Sequence, residues 1–298
     1  MKARYFNPFT DFGFKKIFGE EASKHLLKDF LNALLPASSQ IAELSFNNAG
    51  QPSEFKYSYL FDIYCQNVNG ERFVLELQKA EQKFFKDRTH FYSSFPILEQ
   101  AERGDWTFKL QAVFCVGILD FTFDDYVTEP EKSQVLHQIK LKDQNNKIFY
   151  DKLTYIYLEM PNFRKTEGQL ETQLDKWLYF IKNLEDFSEI PHIFGDEVIF
   201  QSAFEKAELA RLMPEDQSRY QHSLKIYRDI KNVIDTAYDE GKIEGIIEGE
   251  AKGKAEGLEE GKAAGKAEIA RAMKSRGLDP EFIADVTGLS ISQINDLS

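Results

Sequence analysis

The chain has 298 residues, with 37 basic and 49 acidic side chains and a formal net charge of −12. Hydrophobic residues make up 42% and phenylalanine alone fills 26 positions, enough for a substantial core, which excludes wholesale disorder. Two cysteines, each inside an apolar run, exclude a disulfide scaffold, and the acidity argues at first sight against nucleic acid, whose phosphates favour basic surface.

The opening MKARYFNPFTDFGFKK lacks the apolar stretch of a secretory signal. No run reaches the ~18 apolar residues of a membrane span. A soluble, cytoplasmic protein without membrane association is the expectation. After turn residues Asn7-Pro8, apolar positions from Phe14 to Leu35 fall at helical spacing, with a break near Gly19 and a stop at Pro36. The period then changes to that of strands: Ile41–Phe46, and Tyr57–Val68 after a turn cluster over 47–52. Asn69-Gly70 signals a hairpin back into Arg72–Gln78. Phe84–Arg103 reads as a helix interrupted by Pro96, and Gln111–Leu119 as a buried central strand. Further strand candidates lie around Phe149 and Tyr155–Leu158. Helices are expected over Leu170–Leu184, Glu197–Met213 and Gln217–Tyr238.

The last sixty residues differ in kind. Gly241, Gly245, Gly249, Gly253, Gly257, Gly261 and Gly265 recur every four residues among Glu, Lys and Ala. On a helix this stripe drifts about 40° per repeat. Such a ridge lets a partner helix approach closely, whereas the cost of each glycine favours a charged linker. The strict period favours the helix and, with it, a homodimer or other homo-oligomer. Beyond it, Ile269–Lys274, a segment opened by Pro280, and Ile291–Leu297 behind Ser290 form either a small helix-turn-helix or a helical docking cap.

Two acids stand out in the hairpin. Leu60, Asp62 and Tyr64 share one face of their strand, and Val74, Glu76 and Gln78 one face of the next. Reflection about Asn69-Gly70 sets Asp62 opposite residue 77, and a bulge or longer loop would bring Glu76 there instead. Carboxylates forced together repel unless a divalent cation lies between them, and their hard oxygens suit Mg²⁺ or Mn²⁺. The plainer alternative is that both acids point to solvent. No histidine spacing suggests zinc, and no glycine-rich phosphate loop is present.

The pattern from Asp62 to Gln78, D-I-Y-C followed by E-L-Q, resembles the catalytic motif of PD-(D/E)XK nucleases, with glutamine where lysine usually stands. The opening N-P-F-T-D-F-G-F-K-K-I-F-G, Asn7 to Gly19, and F-F-K-D-R-T-H-F-Y-S, Phe84 to Ser93, resemble the Rpn family of recombination-promoting nucleases and transposases within that superfamily. The resemblance implies an α/β, restriction-endonuclease-like core over 1–165. A helical extension over 166–240, the glycine repeat over 241–266 and a small helical element over 267–298 would follow. It implies a metal-dependent DNA endonuclease with Asp62, Glu76 and the Leu77 carbonyl as ligands to Mg²⁺ or Mn²⁺, and Gln78 orienting water. Arg88 and Tyr92, four residues apart, either hold the scissile phosphate or pair with Asp87 or Glu99 and pack on the sheet. Asp11 is either an extra acid of the site or, more simply, a helix N-cap, and Lys15 reads as a solvated helix residue. DNA contact is expected along Lys79, Lys83, Lys86 and Arg88. The loss of lysine at Gln78 leaves a second reading, an inactive nuclease fold acting as an oligomeric interaction module.

Overall fold

The computed structural model describes residues 3–46, 61–102, 104–123, 128 and 131–297. The turn cluster over 47–52 and the start of the second predicted strand, Tyr57–Leu60, lie outside them. Six strands form one sheet: β1 (Leu44–Phe46), β2 (Ile63–Asn67), β3 (Arg72–Gln78), β4 (Val113–Leu119), β5 (Leu136–Lys142) and β6 (Ile148–Glu159). Their order is β1-β2-β3-β4-β6-β5. The central β3, β4 and β6 run parallel, and β1, β2 and β5 pair antiparallel at the edges. A parallel step needs a crossover, and α3 (Phe85–Leu98) provides it between β3 and β4.

Alternation along the strands sorts the core into two layers. Phe73, Leu75 and Leu77 point with Phe114, Val116 and Ile118 into the larger cluster. This is closed by α1 (Asp11–Phe18), α2 (Lys24–Leu34), α4 (Gln173–Asn183), α5 (Val198–Ala207) and the start of α6 (Pro214–Ser275). Val74, Val113, Cys115, Tyr155 and Tyr157 point the other way, onto Phe85 and Tyr92 of α3. The phenylalanine excess goes mostly into the first layer. There Trp177 is buried within 5.5 Å of Phe18 and 4.8 Å of Phe200, and its Nε1 donates to Asp29 at 2.6 Å. Both cysteines are buried free thiols, pushed up to about 12 by burial, and so chemically quiet.

Several expectations are corrected. β2 begins at Ile63, so Asp62 stands just outside the ladder rather than within a strand. Pro96 does not break α3, which continues to Leu98, because a proline so near the end forfeits little of the helix. The two candidates over 147–159 are one strand, β6. β5 went unpredicted: its pattern is half polar and mostly exposed, as befits an edge strand guarded by lysines.

Contacts divide the chain into two units, Met1–Asn232 and Val233–Ser298. In the second, the glycine repeat lies within α6, and a Cβ added at any of its seven glycines would meet nothing within 4 Å among the described residues. Ala270, Ile283 and Ile294 then form a small core with α7 (Pro280–Thr287) and α8 (Ile291–Asp296). Ser290 and Gln293 cap α8 reciprocally. The Lys274 ammonium donates to the carbonyls of Ile294, Asn295 and Leu297 near its end.

Candidate active site

The site begins with the hairpin register. β2 and β3 pair Ile63 with Leu75 and Tyr64 with Val74. The turn places Gly70 at φ 77°, its N–H on the Asn67 carbonyl at 3.0 Å. This three-residue loop shifts the pairing by one from reflection about Asn69-Gly70, so continuing the ladder sets Asp62 opposite Glu76 without a bulge. Because β2 begins at Ile63, the edge of β3 beyond it has no strand partner among the described residues, and Asp62 takes that place: its Oδ2 accepts the Leu77 N–H at 2.8 Å. A strand residue turns its N–H and C=O to the same edge, so the Leu77 carbonyl faces Asp62 too. The next carbonyl, of Gln78, turns the other way and accepts from Asp120 N at 2.9 Å.

Glu76 and Gln78 project toward α3. Gln78 Nε2 donates to Glu76 Oε2 at 2.9 Å, and Arg88 donates through one amino group to Gln78 Oε1 at 2.6 Å and through the other to Gln82 Oε1. The guanidinium lies 5.9 Å from the Phe85 ring and 6.0 Å from the Tyr92 ring. Its Nε is a buried donor with no partner among the described residues. Glu76 is paired in register with Gly117, where a Cβ would come 2.8 Å from the Tyr157 ring. The glycine leaves a cavity of about 10 Å³ beneath Glu76 and Gln78, room for about one water.

The electrostatics follow. Burial, then the nearby Asp62 charge, raise the Glu76 carboxyl to about 7, against the opposing pull of Arg88 and Gln78. Burial likewise raises Asp62, against the Leu77 N–H and Lys15. Two carboxyls that each resist ionisation are thus held together at the C-terminal end of a central strand. The solvated-acid alternative does not describe them.

The opening motif builds the rest. Asn7 Oδ1 accepts the Phe9 N–H at 2.7 Å, while Thr10 Oγ1 donates to the Asn7 carbonyl and accepts the Gly13 N–H at 2.9 Å. A Cβ at Gly13 would lie 2.3 Å from the Asn7 oxygen, so only glycine fits there. Thr10, not Asp11, is therefore the N-cap of α1. Asp11 is exposed and bonds Lys15 at 2.7 Å, and Lys15 reaches Asp62 Oδ1 at 3.5 Å. Burial works against the Lys15 ammonium, but Asp11 and Asp62 outweigh it and raise its pKa. Sequence reasoning passed over Lys15 as a solvated residue. Its spacing of four from Asp11 was the available signal, whereas nothing in the sequence marked Gln82.

The structure brings together Asp62, Glu76, Leu77, Gln78 and Arg88, and links Asp11 to them through Lys15. Tyr92 packs edge-on to Phe61 at 6.1 Å and meets the group only through its ring. Arg88 does not pair with Glu99, whose Oε2 accepts from the Tyr64 hydroxyl at 2.5 Å. The expected basic strip is not continuous. Arg88 turns inward, Lys83 lies over Phe84, Lys86 over Phe123, and Lys79 is half-buried, its pKa lowered by burial. A cleft of about 250 Å³ opens beside Asp62, Leu77 and Gln78, and shares Asp11 and Lys79 with a groove of about 720 Å³ that also carries Lys15, Lys16, Arg219 and His222. No helix among the described residues is long and apolar enough to cross a membrane.

Comparison with protein families matches residues 8–237 to the family described as PD-(D/E)XK nuclease family transposase, the one expected from the opening motif and the E-L-Q strand. No curated protein and no solved structure matches the chain.

Proposed function

This chain belongs to the PD-(D/E)XK nuclease family of transposases, and from that premise we propose that it is a divalent-metal-dependent DNA endonuclease serving recombination or element mobility. The observation that carries the reading is the paired carboxyls of Asp62 and Glu76, with Gln78 and Arg88 hydrogen-bonded in line behind them.

The donor set fits a small hard cation. Among the described residues no three or more His, Cys, Asp or Glu side chains stand together as a metal group. Two carboxylates and one carbonyl suit Mg²⁺ or Mn²⁺, whose remaining positions go to water and substrate phosphate. Asp62, Glu76 and the Leu77 carbonyl would hold the ion, which when bound lowers the pKa of a water and polarises the phosphate.

The remaining work falls to the chain's own groups. The Gln78 amide is oriented by its two bonds, Oε1 to Arg88 and Nε2 to Glu76. Its second N–H is left to orient the attacking water. Arg88 brings the positive charge that glutamine lacks, stabilising charge that develops on the phosphate, and its Nε, unpartnered among the described residues, is the kind of buried donor an oxyanion satisfies. Lys15 holds Asp62 in place and screens it from Asp11. The 720 Å³ groove carries Lys15, Lys16, Lys79 and Arg219, and Asp11, Glu20 and Asp216 in the same groove pair with three of these, so a strand entering from that side would exchange those ion pairs for phosphate contacts.

Asp62→Ala should abolish nicking of supercoiled plasmid in Mg²⁺ or Mn²⁺ while circular dichroism stays that of the parent; cleavage at the parent's rate would overturn the reading. A parent protein that cuts no plasmid in either metal yet sediments as an oligomer would favour the interaction-module alternative. We assign self-association to the glycine-ridged helix. The chain truncated after Tyr238 should sediment with fewer subunits than the full chain, and an unchanged subunit number would remove the tail from that contact.

A further inference from the structure

We propose that the Phe84 ring is a stacking platform for an unpaired base, so that the site takes nucleic acid with a nucleotide unstacked beside the cleavage point rather than as smooth duplex. The inference rests on the nuclease reading above and concerns which form of nucleic acid that site accepts.

Phe84 is anomalous twice. Its backbone is left-handed, at φ 72° and ψ 26°, a conformation that a bulky L residue enters at a cost and glycine enters freely. The residue is nonetheless 67% exposed, so little packing offsets the strain. Phe108 is likewise left-handed, at φ 56°, and exposed, so what singles out Phe84 is that its strain lies beside the candidate site, where strained residues are characteristically found.

The surroundings point to a nucleotide. Phe84 stands in the turn that supports the catalytic group: its carbonyl accepts the Arg88 N–H at 3.0 Å, the Gln82 carbonyl accepts the Phe85 N–H at 2.8 Å, and the Gln82 side chain accepts from the Arg88 guanidinium. The Phe84 backbone is therefore within about 7 Å of that of Gln82, the residue whose side chain is bonded to Arg88. The Lys83 ammonium lies 5.4 Å from the ring centroid. That ammonium lies over the ring, so a base stacking there would displace it toward the adjacent phosphate, giving the ring-and-cation pairing that single-stranded nucleic acid uses. A cleft of about 540 Å³ lies along this turn, lined by Gln82, Lys83, Phe84 and Lys86 with Glu81 and Asp87 among them. Those two acids balance the two lysines, so the turn has little of the net charge that duplex binding draws on. In a protein of net charge −12, stacking offers affinity that does not depend on a basic surface.

The test uses the full chain in Ca²⁺, with fluorescence anisotropy of a labelled oligothymidylate and of a blunt duplex of equal length. Phe84→Gly should weaken oligothymidylate binding about tenfold and duplex binding less than about twofold, while the melting temperature holds or rises. Phe84→Trp should retain the parent affinity. Equal loss on both nucleic acids, unchanged oligothymidylate binding, or a lower melting temperature for Phe84→Gly would overturn the proposal. So would a change in sedimenting mass with affinity intact, because Phe91 and Leu98 continue the exposed face of α3 at seven-residue steps and would then mark a protein contact. Plasmid cleavage in Mg²⁺ is read separately. Absent cleavage with the ring effect intact overturns the nuclease reading alone, and cleavage without a ring effect overturns this one alone.

Discussion

Glu76→Gln is expected to raise the melting temperature of the metal-free protein above pH 7 while removing divalent-metal-dependent cleavage. The carboxyl of Glu76 is raised to about 7 in the fold, chiefly by burial and next by Asp62. Between its ordinary value and about 7 the folded chain therefore holds a proton that the unfolded chain has lost. Stability falls as pH rises across that window, and the deficit is full above it. A shift of this size corresponds to about 2–3 kcal/mol after allowance for partial exposure. Glutamine keeps the shape and the acceptor for Gln78 Nε2 but cannot ionise. Melts at pH 8 should show the variant about 5–10 °C above the parent, a gap that narrows as pH falls and closes only below the ordinary value of 4.5, where Glu76 is protonated in the folded and unfolded chain alike. Mg²⁺ should raise the parent's melting temperature at pH 8 and leave the variant's unchanged. Parent cleavage should rise with pH through about 7 as the proton that competes with metal departs. A variant less stable than the parent at pH 8 would show that the fold does not disfavour the ionised Glu76 carboxylate.

Arg88→Lys is expected to be nearly as damaging as Arg88→Ala, with cleavage down about 10²- to 10³-fold in both. The guanidinium divides its two amino groups between Gln78 and Gln82, and lies against the Phe85 and Tyr92 rings. A lysine ammonium is one point charge and cannot hold both amides in that plane. The loss should fall on kcat more than on KM, and free guanidinium ion should restore part of the activity of Arg88→Ala. A Lys variant cutting at the parent's rate would reduce Arg88 to a generic positive charge.

The pairing of Asp62 with Glu76 was half legible. Alternation along the strands and the Asn69-Gly70 turn brought the two acids within one residue of register. The missing residue lay in the turn, where Gly70 in the left-handed region makes a three-residue loop. That Asp62 lies beyond the end of its strand was not legible, because a run of aromatic residues carries no signal for where a ladder stops. It is that early stop which exposes the edge of β3 and lets a side chain occupy the place of a strand. Asp11 shows the converse. Its local preference suited an N-cap, but the Asn7-to-Gly13 hydrogen bonds gave that position to Thr10 and turned Asp11 toward Lys15.

What the sequence determined by itself is what depends on near neighbours: the α1 and α2 pattern, the hairpin, the buried β4, the two inert cysteines, and the E-L-Q strand whose acid must be explained. The family expected from the motifs is also the one whose model matches residues 8–237. Tertiary structure alone decided the ionisation of the acids and the company they keep. Burial and the Asp62 charge set Glu76 near neutrality, α3 delivers Arg88 across the crossover to Gln78, and α1 delivers Lys15 from 47 positions upstream of Asp62. Desolvation and charge–charge energies depend on distance in space, and chain separation does not encode it.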